Sequence, residues 1–449
     1  MMLFFLAALS ASSTSQLDRR SIVARHLNSE KFMFNYQSQS ISFGDWMLLL
    51  TLCFAPLIAH LVAGVPPTGE LTQNLILCLC SNPSVTLSHY PPHWTDRVCH
   101  FNPTSILWRY FAIFDRRVRC LNWTASDMAA SNAHFWVGDD WDGSEEMIVR
   151  SRRFCTRIPS RSYIEPLSAS AVKTLIVTFQ GAQALSAVAG TVSVNSNYSM
   201  NVSLATIFLP IAIFGLLRLP AALWMSEDLA YGNQDMLEVR VASFEQDKGT
   251  VEGEKLIEAE RLAPSMVMPV EPQDEPIPPR FRAVNGLYGI ATRAFYLATL
   301  LTLTGFTLYN IFPPSMETGY WTATGFSQII FFLFFLLATF SIFTFYFLRG
   351  NSTTTIIPCV NSAWYKLYTF LLFLGMLVLI TLAAIETRKA WCGVWTTFPP
   401  RVPGLPNHEW NYCPQSIEGI QATELSWTRN NETSYVTNFN GMISGSWTP

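Results

Sequence analysis

The chain has 449 residues, 50% of them hydrophobic and only 14% charged, with a formal net charge of −3. It is more apolar and far less charged than a soluble globular average, which points to a membrane protein. So balanced a charge gives nucleic acid no electrostatic footprint, and nucleic acid is not expected as a partner.

Residues 1–45 read as a signal-peptide-like start followed by an extracytoplasmic segment. The opening MMLFFLAALSAS is an apolar run followed by small residues, without the usual positive charge in front of it. About ten apolar residues are too few to cross a bilayer, for which a helix needs about 20. Six later segments approach that length: 46–64, 171–191, 204–224, 294–312, 329–348 and 367–385. The expected fold is therefore an all-α membrane protein with about six transmembrane helices.

Loop charges orient these helices, because cytoplasmic loops carry excess Lys and Arg. The short loops 193–203 and 313–327 hold no basic residue and read as external. Between them, the connector 225–293 carries Arg240, Lys248, Lys255, Arg261, Arg280, Arg282 and Arg293 and reads as cytoplasmic. Alternation then puts the large loop 65–170 inside, and both termini, including the tail 386–449, outside. Trp46, Trp224, Tyr309, Tyr320, Trp364 and Tyr368 lie near the segment ends, as an interfacial aromatic belt requires.

Within the large loop, Ile106, Leu107, Tyr110, Phe111, Phe114 and Val118 recur at helical spacing. Arg109, Arg116, Arg117 and Arg119 lie mostly off that face. One reading is a basic amphipathic helix on the inner headgroups, with those arginines on anionic lipid; the other is an ordinary helix packed on a small domain. Further on, Ser144 is placed to cap a helix with Glu145 and Glu146 in its first turn and Arg150, Arg152 and Arg153 in its last. The preceding Gly138-Asp139-Asp140-Trp141-Asp142-Gly143 invites a calcium reading, but its spacing fails the EF-hand pattern. The stretches Ser126-Asp127-Met128-Ala129-Ala130-Ser131-Asn132 and Asp140-Trp141-Asp142-Gly143-Ser144-Glu145-Glu146-Met147 resemble a block in multi-pass membrane proteins of filamentous fungi. That resemblance covers this loop and the second span; it implies membrane location and no activity, and transfers no site residue.

His134 and Asp139 have the H-x-x-x-x-D spacing that resembles the acyltransferase motif, in which the histidine is a general base. No glycine-rich phosphate-binding block accompanies it, and a loop histidine is the more economical account. No H-E-x-x-H, G-x-S-x-G or P-loop sequence occurs, and nothing calls for a metal or a cofactor.

Span two is the most polar. At 100° per residue Lys173, Gln180, Ala184, Ala187 and Thr191 fall within about 40° of one line, with Gln183 beside them. This face serves either helix packing or a ligand path, and packing is favoured because small residues permit close approach. Ala182, Ser186 and Gly190 add a small-xxx-small pattern opposite, so span two is expected at the centre. Span five, rich in Phe from Phe331 to Phe347, is expected at the lipid-facing periphery. Pro210 and Pro220 are expected to bend span three.

The second connector changes character from the helix-forming Glu252–Leu262 to a Pro-rich tether at 264–279, with six prolines beside Glu271, Asp274 and Glu275. In the tail, Cys392 and Cys413 are a candidate disulfide. Sequons begin at Asn122, Asn197, Asn201, Asn351 and Asn431; of those on the expected outer side, Asn431 is the best glycan candidate because Asn197 and Asn201 lie against the membrane. The functional expectation is a non-enzymatic binding, scaffolding or sensing role, with a small-solute transporter or channel second and a membrane-bound transferase using the large loop third.

Overall fold

In the computed structural model, residues 31–33, 41–64, 94–137, 140–193, 202–231, 280–311, 320–350, 354–390, 393–398, 425–429 and 432–436 are described. The protein is mostly helical, and its strands form short two-stranded pairs. The helices are α1 (Phe43–Gly64), α2 (Trp94–His100), α3 (Pro103–Arg119), α4 (Ala125–Asn132), α5 (Glu145–Arg150), α6 (Ala169–Ser193), α7 (Leu209–Gly215), α8 (Leu287–Ile311), α9 (Ala323–Arg349) and α10 (Ala363–Glu386). Three of them, α1, α9 and α10, are long and apolar enough to cross a membrane. Helices α6 and α8 are each 25 residues long but less apolar.

The third apolar segment departs from a regular helix. It turns at 203–208, forms α7 for seven residues, and tightens into a 3₁₀-helix over Leu216–Trp224 that contains Pro220. Proline there removes a donor and fixes φ, which accounts for the loss of the α-helical ladder. So long a 3₁₀ run is unusual, and its steeper rise lengthens the segment.

The helix ends gather at two opposite poles. At one pole Leu204 donates to the Thr387 hydroxyl at 2.9 Å, the Gln328 amide donates to the Ile207 carbonyl at 2.9 Å, and the backbone N–H of Thr324 donates to the Glu386 carboxylate at 2.8 Å. At the other, the base, lie the C-terminal ends of α1, the 3₁₀ segment and α9 and the N-terminal ends of α6, α8 and α10. Arg293 on α8 donates to the Phe347 carbonyl of α9, and Arg218 on the 3₁₀ segment reaches both Ala63 of α1 and Ser170 of α6.

Helix α3 plugs the base. Asn102 caps it by accepting from Thr104, with Pro103 in the first turn. Nearly every one of its side chains is buried, because partners surround it. Thr104 shares hydrogen bonds with Thr339 of α9 and Tyr368 of α10, Trp108 packs edge-on to Phe343, Phe111 meets Tyr296 of α8, and the Thr292 hydroxyl donates to Asp115. These contacts also reverse two expectations. Helix α9 is the most buried of the three apolar helices, because it packs between α8 and α10 while its Phe343 and Phe347 meet Trp108 and Phe111 of α3. Helix α6 is peripheral, with Val172, Leu175, Ile176 and Phe179 exposed on one face.

Candidate functional site

The base is built on arginines that the sequence suggested for lipid. Arg109, Arg116 and Arg119 are all buried, which favours the packed-helix reading over contact with anionic headgroups. Arg109 donates to the carbonyls of Gly64 and Asn132, Arg116 to the carbonyl of Gly143, and Arg119 to Asp115 at 2.7 Å and to Glu145. Guanidinium groups carry five donors in a fixed fork, so a carbonyl-rich helix end accommodates them without an external anion. Arg117 is half-buried, its guanidinium 5.2 Å from the Trp224 ring and 6.0 Å from that of Trp123.

The loop helices are fixed by local capping and then by these arginines. Thr124 and Asp127 form a capping box at the start of α4. Asp127 also pairs with Arg280 at 2.6 Å, which ties the large loop to the end of the second connector. Ser144 accepts from Met147 at 3.3 Å, the cap expected from sequence. Residues Phe135–Val137 and Asp140–Asp142 pair as antiparallel strands, so Asp140, Trp141 and Asp142 of the Asp-rich run lie in a strand.

His134 is buried and its ring lies 4.4 Å from that of His100. A cavity of about 10 Å³ touches both, together with Gly64, Ser105, Arg109 and Thr355; a volume of this size holds one water. Burial, reinforced by the positive charge of Arg109, pushes His100 down to about 3 and His134 well below the usual histidine value. Two imidazoles held neutral beside a water-sized space leave no room for an acyl donor. Asp139, the second half of the spacing, lies outside the described residues.

The polar line on span two divides. Lys173 pairs with Glu227 at 2.6 Å, Ala184 is buried, and Gln180 is half-buried. Gln183 and Ala187 face outwards. The face that packs inwards is Val177, Gly181, Ala184 and Val188 instead, a seam of small and β-branched residues against α7 and Leu216. The side chain of Thr191, both cysteines of the candidate disulfide (Cys392 and Cys413), and Asn431 lie outside what is described.

Sequence reasoning missed a groove of about 350 Å³ at the base, where the first turn of α6 meets the segments 157–168 and 226–228. Its frame is backbone: Ile164 N–H donates to the Leu223 carbonyl at 2.9 Å, and the Trp123 indole donates to the Ser162 carbonyl at 3.0 Å. Arg157, Ser160, Arg161, Tyr163, Glu165 and Glu227 line it, over a floor that includes Met128. The volume is in the range of small-molecule sites. The only signal in the sequence was Arg157 and Arg161 beside Tyr163 just before span two.

The chain matches no family model, no curated protein and no solved structure. What class it has rests on its own helices, three of which can cross a membrane.

Proposed function

We propose that this chain is an integral membrane protein with six crossings, both termini outside and the base at the cytoplasmic face, and that it binds or senses a ligand there without catalysing a reaction. The alternation of helix ends between two poles supports the count, as does the length of the third segment. Seven α-helical and nine 3₁₀ residues rise about 28 Å together, close to the thickness of a hydrocarbon core.

The observation that carries the binding reading is helix α3, buried on all sides and wedged between α1, the 3₁₀ segment, α8, α9 and α10. A solute path through the bundle would have to displace it. The outward position of Gln183 and Ala187 also removes two of the six positions of the polar line that a path would use.

Orientation is tested by glycosidase mobility shifts on the wild type and on Asn122→Gln, Asn351→Gln and Asn431→Gln. A glycan at Asn431 is expected; one at Asn122 or Asn351 overturns the orientation. Role is tested by complementation of a deletion. Arg161→Gln, in the groove, is expected to fail where Gln180→Leu with Gln183→Leu, and separately His134→Ala, succeed at wild-type abundance. The reverse outcome favours transport or transfer chemistry.

A further inference from the structure

The groove at the base is electrically selective. Of its charged lining residues, Arg157 pairs with Asp228, and Glu227 pairs with Lys173. Two charges remain without a charged partner among the described residues. Arg161 lies with its guanidinium 5.7 Å from the Tyr163 ring and donates to that hydroxyl at 3.3 Å. Glu165 accepts only a long 3.4 Å hydrogen bond from Ser160. The groove thus offers one cation and one anion to whatever enters it, which is the complement of a zwitterion.

What surrounds the mouth narrows the class further. Leu167 is 95% exposed, and Val172, Leu175, Ile176 and Phe179 form an exposed apolar face that climbs α6 at helical spacing from the groove. On the reading that α6 spans the membrane, that face meets hydrocarbon and the groove at its foot opens at headgroup level, so an amphiphile can occupy both where a soluble zwitterion would fill the groove alone. Tyr163 already holds Arg161 against its ring, so no aromatic cage is left for a quaternary ammonium. Ser160, Ser168 and Glu165 instead present oxygens that accept hydrogen bonds from N–H groups.

We propose that the groove binds the headgroup of a glycerophospholipid bearing a primary amine, with the phosphate on Arg161, the ammonium on Glu165, and an acyl chain along Val172, Leu175, Ile176 and Phe179. The inference rests on the reading that the chain spans the membrane with the base at headgroup level. The site differs from the anionic-lipid reading of the α3 arginines in its residues and in its charge selectivity.

The test is native mass spectrometry of the full-length chain from nanodiscs containing equal amounts of phosphatidylethanolamine, phosphatidylcholine and phosphatidylglycerol. Phosphatidylethanolamine is expected to be retained at least tenfold over the other two. Arg161→Gln is expected to reduce that retention about tenfold, Glu165→Gln to abolish the preference for ethanolamine over choline, and Arg349→Gln, at the end of α9 and outside the groove, to leave both within twofold. Equal retention of the three lipids by the wild type overturns the proposal, whatever the variants do. So does preference for phosphatidylglycerol, or insensitivity to both Arg161→Gln and Glu165→Gln. Soluble phosphoethanolamine displacing the lipid at equal concentration overturns the lipid as the source. Release of the chain from membranes by alkaline carbonate would sink the spanning reading itself, separately from the headgroup result.

Discussion

Arg218, in the 3₁₀ segment, donates through Nη1 to the carbonyl of Ala63 in the last turn of α1, while its Nε donates to the Thr174 hydroxyl of α6 at 2.8 Å. One buried side chain thus joins three segments far apart in sequence. Its charge lies where the negative end of the α1 dipole points. Arg218→Met is expected to destabilise the protein by about 3 kcal/mol, because the carbonyls of Ala63 and Ser170 lose a charged donor in a buried setting. Arg218→Lys should recover less than half, since one ammonium cannot span the three partners. Thermal unfolding in detergent measures both.

Gly181 marks the closest approach of α6 to α7. A Cβ there would lie 2.6 Å from Leu216 Cγ and 2.8 Å from the Ala212 carbonyl oxygen, a backbone atom that cannot rotate away. Helix propensity alone would make Gly181→Ala stabilising by about 1 kcal/mol. The clash reverses the sign, and the expected result is a net loss of about 1–3 kcal/mol. An unchanged or raised melting temperature would show that the two helices are not in such close contact.

The paired histidines predict an acid limit. In the unfolded chain His100 and His134 take up protons near their ordinary value; in the fold, burial and Arg109 hold both well below it. The unfolded state therefore binds more protons between about pH 6.5 and pH 3, so stability is full above that window and falls as pH drops through it. The expected slope is about 1.4 kcal/mol per pH unit for each histidine. His134→Gln should flatten the decline between pH 6.5 and 4.5 relative to wild type, as read by thermal midpoints in matched buffers. An unchanged slope would mean that the pair is accessible to water.

Glu386 accepts from the backbone N–H groups of Ala323 and Thr324, so the last residue of α10 satisfies the first turn of α9. A carboxylate at a helix N-terminus meets both orphan donors and a favourable dipole. Glu386→Gln is expected to cost about 1 kcal/mol and Glu386→Ala about 2 kcal/mol. Equal effects of the two would assign the contribution to packing alone.

Each of the six apolar segments has helical structure along it; α1, α9 and α10 begin before the sequence reading, at Phe43, Ala323 and Ala363, and end within one residue of it. Periodicity also placed a helix across 106–118, and the Ser144 cap is visible in four consecutive residues. What an apolar face meets was not legible. Phe-rich α9 and mixed α6 exchanged their expected positions, because lipid and protein interior reward the same hydrophobicity. Nor was the fate of Arg109, Arg116 and Arg119 legible. Their main acceptors include the carbonyls of Gly64, Asn132 and Gly143 and the carboxylate of Glu145, and only the tertiary fold brings these within reach. The groove fell between two readings for the same reason, since residues 157–168 and 226–228 meet only after α6 and the third segment have packed.

The seat of α3 sets a timetable for making the protein. Asn102 donates to Thr369 at 2.8 Å across 267 positions of sequence, and Thr104 meets Tyr368 across 264. At roughly 5–20 residues per second, the ribosome delivers these partners about 10–50 s after α3 itself has emerged. When α3 emerges, only α1 of the walls that later enclose it has been made; the 3₁₀ segment, α8, α9 and α10 follow in that order. A chain cut short before α10 therefore leaves Asn102 and Thr104 without Thr369 and Tyr368.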